Sequence, residues 1–181
     1  MYDKIKIYKT EADMKDKLEI ERKYIIEMPD ERVIALQEKY TSTEIEQIYL
    51  TSAEGITHRV RARKGVSGTV YTETKKIRLT KLSAIEDERE IDEKEYNELK
   101  KDIKAGTRVI KKTRYTFEFS NQLFEIDVYP EWKRTAIMET ELEDEDVTVS
   151  MPPFISIKRE VTGMRAYSNA GMSHEFPKED E

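Results

Sequence analysis

The stretch Leu18-Glu19-Ile20-Glu21-Arg22-Lys23-Tyr24-Ile25-Ile26 reads as a β-strand with one charged face. Side chains alternate along a strand, so Glu19, Glu21 and Lys23 point one way. Leu18, Ile20, Tyr24 and Ile26 point the other, with Arg22 among them. At the rise of a strand, two carboxylates and an ammonium then lie within about 14 Å of one another. A charged row of this kind is usually a solvated face. With 38 acidic and 32 basic residues in 181, acid-x-acid-x-base turns up about once per chain by chance. The strand gains meaning only because later strands repeat it.

Arg59, Arg61 and Arg63 occupy alternate positions, with Val60 and Ala62 between them. Glu86, Glu88 and Glu90 alternate likewise, as do Lys112 and Arg114, and Glu139, Glu141 and Glu143. Asp127 is flanked by the apolar Ile126 and Val128. Like charges repeated along one strand repel, so three arginines in a row need counter-charges on neighbouring strands. Acidic and basic strands interleave along this chain, which supplies them.

Composition narrows the classes. Charged residues make up 39% of the sequence against 37% hydrophobic, well above the usual charged share of about 25%. The net charge of -6 argues against nucleic-acid binding through an overall field, though a local basic cavity is compatible with it. No cysteine is present, which removes disulfides, thiol nucleophiles and Cys-ligated zinc. No apolar run approaches 18 residues and no signal-peptide pattern is seen. A soluble, cytoplasmic protein without membrane or nucleic-acid partners is the expectation. A homodimer is admitted.

The rest of the chain divides into short strands with few helices. Residues 1–17 form a charged extension or a first edge strand around Ile5 and Ile7. Pro29 and Asp30 open a helical pattern with Val33, Ile34, Leu36 and Tyr40. A break at 41–43 precedes strands at 45–51, 57–64, 69–77 and 85–91, with turns at Glu54-Gly55 and 65–68. Asp92 with Glu95 makes a capping box for a helix carrying Tyr96, Leu99 and Ile103, stopped at Gly106. Strands at 108–120 and 122–129 form a hairpin around Ser120-Asn121, and 135–142 is a further strand. Residues 144–149 are expected to start a short helix stopped by Pro152-Pro153, and the polar tail from 174 to be frayed. Trp132 is expected to pack in its turn. Many strands without regular βαβ alternation predict an antiparallel α+β fold in one domain.

If the charged faces converge in a barrel too wide for a filled core, they line a polar channel. Guanidinium suits phosphate geometry. Carboxylates there would repel a polyanion unless a hard cation sits between them, and Mg²⁺ is bound by one or two carboxylates plus substrate phosphates.

These motifs resemble the CYTH, or triphosphate tunnel metalloenzyme, superfamily. Glu19-x-Glu21-x-Lys23 matches its hallmark strand. Gln47-x-Tyr49-Leu50, Arg59-x-Arg61, Thr74-Lys75, Glu86-x-Glu88-x-Glu90-Ile91, Lys112-x-Arg114-Tyr115, Glu125-Ile126-Asp127, Glu139-x-Glu141-Leu142 and Val161-Thr162 with Tyr167-x-Asn169 follow in the family's order. The resemblance runs from about residue 18 to 172 and places the domain at 18–173, between the extension at 1–17 and the tail at 174–181. It implies an eight-stranded antiparallel barrel with peripheral helices. It further implies Mg²⁺ or Mn²⁺ on Glu19, Glu21, Glu139 and Glu141, and phosphates on Lys23, Arg59, Arg61, Lys75, Lys112 and Arg114. Glu88, Glu90 and Asp127, with Lys75, would then serve the chemistry, positioning a basic side chain, a second metal or the attacking water.

The implied reaction is metal-dependent hydrolysis of a triphosphate by in-line attack of water, driven by positioning and charge neutralisation. The chain has no G-x-x-x-x-G-K-[ST], so it is not a P-loop enzyme. A class IV-type adenylate cyclase and a polyphosphate-binding module that does not hydrolyse are the alternatives. The first needs a purine pocket, of which there is no sequence sign. The second has no need of paired acidic strands. Neither His58, facing away from the arginine row, nor His174 is required.

Overall fold

The computed structural model describes residues 18–179; the expected edge strand at Ile5 and Ile7 lies outside them. Eight antiparallel strands close into a barrel: β1 (Leu18–Glu27), β2 (Glu38–Tyr49), β3 (Thr57–Gly65), β4 (Gly68–Arg78), β5 (Ser83–Ile91), β6 (Ile110–Phe119), β7 (Gln122–Val128) and β8 (Thr135–Glu141). Around the wall the order is β1-β5-β4-β3-β2-β6-β7-β8, and β8 pairs back onto β1. A short β9 (Ile157–Glu160) continues the same edge of β1 where β5 leaves it. The helices α1 (Glu31–Ile34), α2 (Glu93–Leu99) and α3 (Asn169–His174) lie outside the wall or at its end. Antiparallel register aligns the charged rows: Lys23 stands opposite Glu139, Glu21 opposite Glu141, and Arg114 opposite Asp127.

Because those rows face inward, much of the apolar core lies outside the wall. Tyr24, Ile26, Phe117, Phe124, Ile126 and Met138 pack on one side with Ile34 of α1 and Ile155. Ile48, Val60 and Ile91 pack on another with Tyr96 of α2. The inward faces are themselves divided. Past Lys23, Lys112 and Glu139 they become apolar, and Ile25, Ile110 and Ile137 fill that end with Tyr129 and Met172 of α3. The barrel is thus charged through part of its length and closed by an apolar seal.

Local chemistry explains most element ends. Asp92 Oδ1 accepts the Glu95 amide at 2.7 Å, forming the expected cap of α2. Ser120 and Asn121 both adopt positive φ, 51° and 60°, which gives the β6–β7 hairpin a tight turn of the primed kind. An L-residue with a Cβ is strained there, so Asn121→Gly is expected to raise stability by about 0.5–1 kcal/mol, read as a higher denaturant midpoint at unchanged slope.

Four segments differ from the sequence reading. The helix after Pro29 is only Glu31–Ile34, and Tyr40 belongs to β2, where it stacks on Tyr115 at 6.3 Å. The break at 41–43 does not exist; the irregularity falls between Glu38 and Thr41, where Lys39 takes a positive φ of 54°. Residues 144–149 form turns, not a helix, because Asp144 uses its carboxylate on the Asp146 amide at 3.0 Å, a local bond that competes with helix. The tail is docked. Trp132 Nε1 donates to the Pro177 carbonyl at 3.1 Å, Phe176 packs on Trp132 and Tyr129, and Glu179 accepts the amides of Lys133 and Thr135 at 2.8 and 2.9 Å. Phe176→Ala is therefore expected to cost about 2–3 kcal/mol, below the cost at a fully buried site, measured by chemical denaturation.

Candidate active site

Inside the barrel lies a cavity of about 760 Å³, lined in large part by ionisable side chains. β1 contributes Glu19, Glu21 and Lys23, β3 contributes Arg59, Arg61 and Arg63, and β8 contributes Glu139 and Glu141. Alternation fixes which residues of each strand reach it.

The carboxylates and cations form linked groups. Lys23 Nζ lies 2.6 Å from Glu139, whose other oxygen accepts from Arg114 at 3.0 Å. Arg114 also grips Asp127 in a two-pronged contact, 2.7 Å on each prong, and meets Glu125. Asp127 is fully buried and also pairs with the equally buried Lys112. Across the barrel, Lys76 bridges Glu19 and Glu86, 3.1 Å from the latter, and Glu86 takes Arg59 at 2.7 Å. Glu88 holds Arg63 at 3.0 Å and accepts from Thr74 at 2.8 Å.

Two groups escape this neutralisation. Arg61 is only 6% exposed and has no ion pair among the described residues; its Nε donates to Gln47 Oε1 at 3.1 Å. Burial, followed by the fields of Arg59 and Arg114, pushes its pKa down to about 10. A guanidinium keeps its proton at neutral pH, so the shift marks a cation in need of an anion. Glu141, at the exposed end of β8 with its carboxylate turned to the cavity, likewise has no ion-pair partner among the described residues. Burial, then Glu125 and Glu21, raises its pKa. Burial also raises Glu19 to about 7 against the pull of Lys76. By contrast, Lys23 and Arg114 hold Glu139 well below the carboxylate range despite its burial.

The donor set suits a hard divalent cation. Glu21 and Glu141 are cross-strand partners on the inner face, Glu19 is next on that face, and all three offer oxygen. Among the described residues no three acidic or histidine side chains converge as a ready-made metal cluster; Glu19 pairs instead with Lys76, and Glu21 lies near Lys23 and Arg78. A cation bound by one or two carboxylates together with phosphate oxygens does not need such a cluster.

Most residues expected from the sequence therefore face one space, but not all. Lys75 does not. Arg59 faces inward and stands opposite Thr74, so Thr74 and Lys76 point in while Lys75 points out, half-exposed near Glu73. The inward lysine of β4 is Lys76. Glu90 is exposed near the end of β5 and does not line the cavity. Asp127 and Lys112 are on the inward faces but lie deeper than the open cavity, where they support Arg114 without lining it. Glu143 is exposed, and His58 points outward to Glu73 at 2.7 Å. Sequence reasoning passed over Lys76, Arg78 and Tyr49 as site residues, although Thr72-x-Thr74-x-Lys76-x-Arg78 carries the inward period.

No family model and no curated protein matches the chain. Solved structures do. The inorganic triphosphatase NE1496 is 29% identical, with 88% of this chain and 97% of that one covered at a TM-score of 0.56. The PH1819 protein from Pyrococcus horikoshii OT3 is 20% identical over 71% of this chain and 80% of that one, with a TM-score of 0.54, a likeness of fold. The closed eight-stranded barrel, with its charged strands in this order, fits the CYTH, or triphosphate tunnel, superfamily.

Proposed function

We propose that the chain hydrolyses a triphosphate inside the barrel, with a divalent cation as cofactor. The observation that carries this reading is Arg61, a buried guanidinium left without a counter-charge in a cavity flanked by Arg59 and Arg114. A phosphate chain supplies the missing anion, and guanidinium meets it in a matching fork. The likeness to an inorganic triphosphatase supports the same conclusion.

Arg59, Arg61, Arg114, Lys23 and Lys76 bind and orient the phosphates. Glu86 and Glu88 aim Arg59 and Arg63, and Asp127 does so for Arg114. Lys23 stays protonated because Glu139 and Glu21 outweigh the burial that would discharge it. Mg²⁺ or Mn²⁺ on Glu19, Glu21 and Glu141 would neutralise charge between these carboxylates and the phosphates. Glu139, already held by Lys23 and Arg114, belongs to the phosphate side of the site. The terminal phosphorus accepts an in-line water, and the cations stabilise charge on the departing pyrophosphate.

The test is release of orthophosphate and pyrophosphate from tripolyphosphate, ATP and thiamine triphosphate, with Mg²⁺ or Mn²⁺ and with chelator. Orthophosphate release that chelator abolishes is the expected result. Pyrophosphate with cyclic AMP from ATP, or binding without turnover, would overturn it.

A further inference from the structure

Gln47 is fully buried and stands directly opposite Arg61 in the β2–β3 register. Its amide orientation follows from chemistry. Arginine has no acceptor, so the contact with Arg61 Nε requires the amide oxygen there. The amide nitrogen then faces Tyr49 and donates to its Oη at 2.6 Å. Arg61, Gln47 and Tyr49 form one directional chain of hydrogen bonds.

Its composition sets it apart from the rest of the barrel. Arg59 is held by Glu86, Arg63 by Glu88, and Arg114 by Asp127 and Glu139. Arg61 alone in that set is held by a neutral group. Hydrogen bonding does not demand this. A glutamate at 47 accepts equally from Arg61 Nε and from the Tyr49 hydroxyl, so what the amide adds is neutrality. A second consequence reaches Tyr49, which lines the cavity. Its oxygen takes the amide hydrogen, and its own proton has no acceptor among the described residues. Burial raises the phenol pKa even against Arg59 and Arg61, so that proton stays in place.

We infer that Gln47 is a charge-sparing positioning residue, which fixes Arg61 with its charge intact and leaves the Tyr49 hydroxyl as a neutral donor to a phosphate oxygen. The inference rests on the triphosphate reading of the cavity. Tripolyphosphate is the probe, read by steady-state kinetics and by the rise in Tm it induces. Gln47→Glu keeps the contact with Arg61, reverses the one with Tyr49 so that the hydroxyl donates to the carboxylate, and cancels the Arg61 charge. It should weaken tripolyphosphate binding by about ten- to a hundredfold, the range of a charge-assisted hydrogen bond, with KM rising more than kcat falls. Its ligand-free Tm should equal or exceed that of the parent, which no merely structural role predicts. Tyr49→Phe should weaken binding about three- to tenfold, as expected of a neutral hydrogen bond. Unchanged binding in Gln47→Glu, or a ligand-free Tm several degrees below the parent, overturns the inference. A parent that neither binds nor hydrolyses tripolyphosphate sinks the triphosphate reading instead, and the ligand-free Tm of Gln47→Glu still decides the electrostatic half.

Discussion

Arg61→Ala is expected to lower kcat/KM for tripolyphosphate by about 10²–10³-fold, the usual cost of deleting one preorganised donor to developing charge, and to leave the fold intact. Most charge deletions in a buried network would damage stability, because a partner is left uncompensated. Arg61 is the exception. It has no acidic partner to orphan, and Arg59 and Arg114 both disfavour its charge. Removing it relieves repulsion and opens space into a cavity already present. Against that relief stands the fully buried Gln47 oxygen, which loses its donor, so the ligand-free Tm should stay within a few degrees of that of the parent, while the Tm rise induced by tripolyphosphate shrinks. Arg61→Lys should recover only part of the activity, since an ammonium lacks the planar fork. Activity within a few-fold of the parent in Arg61→Ala would remove the main support for a phosphate site.

The barrel and its charged interior were legible because strand period is rigid. Once Glu19, Arg59 and Glu139 were placed on one face, alternation carried the assignment along each strand. Where two like residues adjoin, the period needs an anchor. Lys75 and Lys76 are indistinguishable by charge, and only the pairing of Thr74 with Arg59 decides between them. The fate of the acidic rows was also hidden. Glu139 and Glu86 look alike on paper to Glu141 and Glu19, yet cross-strand cations neutralise the first pair, and burial and neighbouring carboxylates raise the second. Which acid meets which base depends on shear around the barrel, and no single strand records that. The tail was misjudged for a related reason. Phe176 and Glu179 sit among polar residues, and their partners, Trp132 and the amides of 133–135, lie more than forty residues away.

Asp127→Asn should produce the largest loss of stability, about 3–5 kcal/mol, the cost of breaking a buried ion pair from one side. Asp127 and Lys112 are both wholly shielded from water, and Arg114 shares the same carboxylate. Lys112 is already the strained partner. Burial, followed by Arg114, brings its pKa down to about 8 even with Asp127 present, so without that carboxylate it would be driven to lose its proton. Arg114 keeps Glu125 and Glu139 and should stay charged. The pH dependence has a definite sign. Arg114 and Lys112 hold the Asp127 carboxyl below its ordinary 3.8, against the effect of burial. Its contribution is therefore complete above that value and is lost as pH falls through the lower folded pKa. Denaturation of the parent from pH 7 to 2 should show this acid limb, and Asp127→Asn should flatten it. Adding Lys112→Met to Asp127→Asn should restore part of the lost stability, because the orphaned ammonium is then gone. A double variant no more stable than Asp127→Asn would mean that the carboxylate serves Arg114 alone and that Lys112 is held by something other than this pair.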